Sequence, residues 1–146
     1  MGLKGKLIAS VEVKCERNLV LDLLHTNKHH MPNICPSKIS HFEIHEGDGI
    51  KAGSIVSWIY NDDGKDKTAK EVIEAVDLEK KSITFKVIEG DLLELYNSFT
   101  IIMSDEDQWA TCTLVYEKKT EDIPEPLVLL GFVLHVFKDM ECHLLK

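Results

Sequence analysis

A chain of 146 residues with 44% hydrophobic and 29% charged side chains is long enough to bury one sizeable core and no more, so a single domain over residues 1–146 is expected. Its formal charge of −8 argues against nucleic acid and against anionic membrane as main partners, because both reward clustered Lys and Arg. Cys15, Cys35, Cys112 and Cys142 have no paired spacing, which predicts reduced thiols and a cytoplasmic location.

Residues 4–14 alternate, with Leu7, Ala9, Val11 and Val13 against Lys6, Ser10, Glu12 and Lys14, and predict a strand with one wet face. Met1 to Lys6 leads directly into it, so no signal peptide is expected. Lys6 also stands where a Gly2 myristoylation signal wants Ser or Thr. The period then changes: Leu19, Val20, Leu23 and Leu24 make one helical stripe. A second short helix, capped by Thr26 or Asn27, stops before Pro32.

Residues 38–46 alternate again, with Phe42 and Ile44 on one side and His41, Glu43 and His45 on the other. A glycine-rich connection, Gly47, Gly49 and Gly53, leads to strands at 55–60, 69–76 and 82–89, with turns at 61–64 and 77–81. Strands at 93–103 and 109–118 follow, separated by a turn at 104–107. Pro126 suits the first turn of a final helix. That helix is apolar on nearly every side from Leu127 to Phe137, yet too short for a bilayer, which takes about 20 apolar residues. It needs apolar partners around most of its circumference, and the face of a sheet is the available one.

Six consecutive hairpin-connected strands make an antiparallel meander. Its inner face is expected to carry Phe42; Val56, Trp58 and Tyr60; Ile83, Phe85 and Val87; Leu95, Phe99, Ile101 and Met103; and Cys112, Leu114 and Tyr116. The helix adds Leu130, Val133, Leu134, Phe137 and Met140. Residue types leave two readings open: these groups fill a solid core, or they line an apolar pocket with a few orienting hydroxyls.

Six strings, in order, resemble one family: Met1-Gly-Leu-Lys-Gly-Lys6, His29-His-Met-Pro-Asn33, His45-Glu-Gly-Asp-Gly49, Ala69-Lys-Glu71, Phe85-Lys-Val-Ile-Glu-Gly-Asp91 and Tyr116-Glu-Lys118. They are similar to the plant major latex proteins, a branch of the birch-pollen-allergen superfamily of pathogenesis-related proteins. The resemblance implies an α+β helix-grip fold. In it a seven-stranded antiparallel sheet wraps around a long C-terminal helix, with two short helices after the first strand. It further implies a large internal cavity for hydrophobic small molecules such as lipids, steroids or hormones, and a link to stress and defence responses. The chain departs from the pattern at Ile50 and Lys51, where many members are richer in glycine, and at Cys112, where many carry an aromatic residue.

The candidate ligand contacts are therefore Phe42, Val56, Trp58, Tyr60, Ile83, Phe85, Phe99, Ile101, Cys112, Leu114, Tyr116, Leu130, Val133, Leu134 and Phe137, with Tyr60, Tyr116 and His135 as orienting polar groups. The candidate gate comprises Gly47, Gly49 and Gly53 with Glu89, Gly90 and Asp91. His25 and His29 have a workable zinc spacing, but Pro32 breaks the shared helical face and no matched ligands complete a set, so no metal and no cofactor are expected. The glycine-rich loop leads into a strand, whereas a phosphate loop opens a helix. A condensing enzyme of this superfamily uses an inward lysine with carboxylates and a tyrosine. Tyr60, Tyr116 and Glu71 are available here, but no lysine falls on the inward register of the last strand, and Cys112 has no evident base partner. The expectation is a monomeric carrier, with a dimer as the alternative state. A cavity enzyme and a ligand-gated module that binds a protein partner are the rival functions.

Overall fold

The computed structural model describes residues 3–15, 18–20, 30–46, 50–62 and 64–144. In chain order they form β1 (Lys4–Glu12), α1 (His30–Ile34), β2 (Ile39–Glu46), β3 (Ile55–Asp62), β4 (Lys65–Asp77), β5 (Ser82–Gly90), α2 (Leu92–Leu95), β6 (Tyr96–Glu106), β7 (Trp109–Lys118) and α3 (Leu127–Leu144). One seven-stranded sheet has the order β1-β7-β6-β5-β4-β3-β2, and every pairing is antiparallel. The meander thus runs from β2 to β7, and β1 closes onto its far edge. The helical stripe expected at Leu19 is described only at residues 18–20. There Asp105 Oδ2 accepts the Leu19 N–H at 2.7 Å, and the rest of that stripe lies outside the described residues.

Alternation places the apolar groups as the period-2 pattern demands. Val56, Tyr60, Ile83, Phe85, Val87, Phe99, Ile101, Cys112, Leu114 and Tyr116 are all buried. Leu95 is the exception. It lies in α2, a single helical turn at the start of what reads as a strand, and is 47% exposed. β4 and β6 both outrun their sequence signals. β4 begins at Lys65 and pairs Asp62 with Lys65 across Gly64, whose φ of +81° suits a tight turn. β6 continues to Glu106 because Asp107 and Gln108, both at positive φ, form a two-residue hairpin turn.

The helix α3 lies against the sheet on Leu129, Leu130, Val133, Val136, Phe137 and Met140, all buried. Polar ties fix its C-terminal half. Glu141, itself buried, accepts the Lys14 backbone N–H and pairs with Lys138 at 2.6 Å, while Lys38 pairs with Asp139 at 2.7 Å. The other end departs from the expectation of partners on most of the circumference: Leu127 and Val128 are 62% and 60% exposed. An open sheet offers one face, so the first turn of α3 overhangs it.

Candidate functional site

Two regions of the sheet–helix interface differ in how well they are filled. Near the turn into α3 the packing is solid. Phe99 stacks on Tyr116 with ring centroids 5.9 Å apart and meets Tyr96 edge-on at 5.0 Å. The Tyr96 hydroxyl donates to the Pro124 carbonyl at 2.9 Å, and the Tyr116 hydroxyl to Glu125 Oε1 at 3.0 Å. Gly5 is needed where Tyr116 crosses β1, since a Cβ there would stand 2.5 Å from the ring. Tyr116 therefore serves the strap before α3, with its hydroxyl tied to that strap. Desolvation and the Glu125 carboxylate push its phenol up to about 12.

The second region is a cavity of about 70 Å³ between β3, β4, β5, β6 and α3. It is lined by Trp58, Tyr60, Ala69, Glu71, Phe85, Leu92, Ile101, Met103, Leu129, Phe132, Val133 and Val136. Of the candidates named from the sequence, Trp58, Tyr60, Phe85, Ile101 and Val133 come together here. Phe42, Val56, Ile83, Phe99, Cys112, Leu114, Tyr116, Leu130 and Phe137 are buried elsewhere in the core, and Leu134 is half-buried. Phe42 backs Trp58, with ring centroids 4.3 Å apart. Burial also pushes the Cys112 thiol up to about 12, so its sulfur behaves as a packing group. His135 is exposed and is not among the residues that line the cavity.

On α3 the lining is made by Leu129, Phe132 and Val136 beside Val133, where the sequence points to Leu130, Leu134 and Phe137. An all-round apolar helix hides which stripe faces inward, so periodicity carried no signal there. Ala69 and Glu71 were legible: with Ile73 they occupy every second position of β4, and Ala69 and Ile73 are apolar. The strand register confirms this, pairing Ala69 with Trp58 and Glu71 with Val56. An irregularity between Lys70 and Glu71 then sets Glu71 opposite Val87, both inward. Such bulges re-aim side chains.

Glu71 is 4% exposed and accepts a hydrogen bond from Trp58 Nε1–H at 2.9 Å on Oε1. Desolvation raises its carboxyl from 4.5 to about 7, against the lowering effect of the Trp58 bond. At about 1.4 kcal/mol per tenfold change in proton affinity, ionising it in place costs the fold about 3 kcal/mol. The folded pKa lies above the unfolded one, so the folded state holds more protons between pH 4.5 and about 7. The protonated group's contribution is complete below pH 4.5 and is lost as pH rises through about 7. Thermal melts at pH 5 and pH 8 check this: the wild type should lose more stability across that interval than Glu71→Gln, by about 2 kcal/mol, because part of the contribution is already gone at pH 5. Equal losses would show that Glu71 does not titrate this way.

The two candidate gate segments differ. Gly47 and Gly49 lie outside the described residues. Gly53 is at φ +92° with open space at its Cβ position, and its N–H donates to the Ile73 carbonyl at 2.8 Å. The turn at Glu89, Gly90 and Asp91 is pinned to β4. The Thr68 N–H donates to Asp91 Oδ2 at 2.7 Å, and the Asp91 N–H to the Thr68 carbonyl at 3.1 Å. Gly90, at φ +128°, passes so close that a Cβ would stand 2.3 Å from the Thr68 oxygen. Leu92, directly after this turn, reaches the cavity. Among the described residues no group of three or more His, Cys, Asp or Glu could hold a metal ion, and the His25 and His29 pair lies outside them. No described helix is long and apolar enough to cross a membrane.

Comparison with known proteins agrees with this architecture. The profile of the "Pathogenesis-related protein Bet v 1 family" matches residues 2–146. MLP-like protein 43 of Arabidopsis thaliana is 41% identical, covering 98% of this chain and 94% of its own length. MLP-like protein 31 of the same plant is 42% identical, over 97% and 86%. The crystal structure of ginseng major latex-like protein 151 from Panax ginseng superposes with a TM-score of 0.92 at 40% identity, covering 99% of this chain and all of that one. Norcoclaurine synthase from Thalictrum flavum superposes at 0.75 with 20% identity, a likeness of fold alone.

Proposed function

The chain belongs to the pathogenesis-related Bet v 1 family, and on that premise we propose that it is a carrier for a hydrophobic or amphipathic small molecule held between the sheet and α3. The observation that carries the reading is the cavity between the sheet and α3, lined almost wholly by apolar atoms. Burial drives entry, at roughly 25 cal/mol per Å² of apolar ligand surface. The cytosol is the proposed location, stress or defence the proposed context, and a monomer the proposed state.

The resting cavity of about 70 Å³ is well short of the roughly 300–1,000 Å³ of typical ligand pockets. A lipid or steroid therefore enters by widening the space between α3 and β3–β5. The overhanging first turn of α3, with Leu127 and Val128 in solvent, offers the least resistance to that movement. Titration with a fluorescent apolar probe tests the reading: saturable uptake supports it, and no uptake at any concentration overturns it.

A cavity enzyme is the second reading, favoured by one observation, a buried carboxyl poised near neutrality at Glu71. Among the described residues no lysine lines the cavity to serve as the inward cation. Glu71→Gln separates the two in a turnover assay: an enzyme built on this carboxyl loses its turnover, whereas a carrier shows none to lose. Tyr116→Phe is expected to leave probe affinity unchanged, because the Tyr116 hydroxyl is spent on Glu125 and its ring lies off the cavity, and to cost about 1 kcal/mol of stability.

A further inference from the structure

Among the described residues Glu71 is the one ionisable carboxyl on the cavity wall. Trp58 Nε1–H donates to its Oε1 at 2.9 Å, and no other described residue donates a hydrogen bond to Oε2. The space in front of it is bounded by aromatic rings: Trp58, Tyr60, Phe85 and Phe132 all line it, and Tyr60 meets Phe132 across the sheet–helix gap at 5.6 Å between centroids. Ring faces attract cations, and among the described residues no lysine, arginine or histidine is on the lining to balance an incoming anion.

From this geometry we infer that the cavity selects apolar ligands bearing a basic nitrogen, seated on Glu71 and the surrounding rings, over equally apolar alcohols and acids. The inference rests on the carrier reading and narrows its ligand class. An ammonium brought to Oε2 converts a costly lone carboxylate into a compensated pair, which is the condition under which a buried charge is tolerated. The protons balance: a neutral amine takes the carboxyl proton, or an ammonium enters as the carboxyl proton leaves for solvent. An alcohol can donate a hydrogen bond but supplies no charge. A carboxylate ligand sets two acidic groups side by side, so one must stay protonated.

The test titrates the full chain at pH 7.5 with three probes on one skeleton, 4-phenylbutylamine, 4-phenylbutanol and 4-phenylbutyrate, beside a fluorescent apolar probe. Wild type and Glu71→Gln are compared, the glutamine keeping an oxygen for the Trp58 bond. The expected result is an amine affinity at least about tenfold above the alcohol's, with the acid weakest, and an amine advantage that shrinks below threefold in Glu71→Gln while alcohol binding persists. Equal affinities for amine and alcohol in the wild type overturn the inference and leave the carrier reading standing, whether or not the variant folds. An amine advantage that survives in a folded Glu71→Gln also overturns it. Uptake of none of the probes, the apolar one included, removes the carrier reading and the inference together.

Discussion

Phe99→Ala will cost about 3–5 kcal/mol of stability, a large fraction of the roughly 5–15 kcal/mol a domain of this kind has, and will leave ligand uptake intact. Phe99 is fully buried and packs against both Tyr96 and Tyr116, which also meet each other edge-on. Those two rings hold the connection into α3 through Pro124 and Glu125. Lys118 pairs with the same Glu125 carboxylate and holds it below the usual carboxylate range. Truncating Phe99 opens a void that this many-membered contact cannot collapse into without moving the strap. Because Phe99 does not line the cavity, probe affinity measured well below the melting temperature should be unchanged. Urea unfolding reads the first effect and probe titration the second. A loss below about 1 kcal/mol would show that this aromatic cluster does not hold the strap.

Val133→Phe acts the other way round, on binding far more than on stability. Val133 sits midway along the inward stripe of α3 and faces the cavity. A phenyl ring there fills the space that a ligand needs, so probe affinity should fall at least about 30-fold, the equivalent of about 2 kcal/mol. Overpacking normally costs about 1–3 kcal/mol. Here the existing void of about 70 Å³ absorbs part of the added volume, so the loss should lie at the low end. Unchanged affinity with a folded variant would place the ligand elsewhere.

The sheet was legible because its information is local. Alternation from Lys4 to Glu12 and from Trp109 to Lys118 repeats the burial that the structure shows, and the glycine, asparagine and aspartate turns bracket each hairpin. What alternation does not encode is the pairing of β1 with β7, which joins residues about a hundred positions apart. The reach of β6 to Glu106 was equally hidden, since Ser104-Asp-Glu106 has turn composition and only the positive φ at Asp107 and Gln108 shows where the chain reverses. The cavity was harder still. Ten side chains named as ligand contacts lie in the core or on α3 beside it, because inward register tells that a side chain is buried and not whether the space before it is filled. Glu71 is the instructive case. A carboxylate in an apolar inward register is visible in Ala69-Lys-Glu-Val-Ile73, and its partner Trp58 sits on the adjoining strand, but their hydrogen bond at 2.9 Å depends on a register no single strand states.

The most direct test of the central claim is native mass spectrometry of the purified full chain beside its denatured extract. The account predicts an adduct of one small hydrophobic molecule per chain that is released on denaturation and is displaced by the apolar probe. A bare protein mass, joined to no uptake of that probe, would contradict it and leave the sheet and α3 enclosing nothing but their own core.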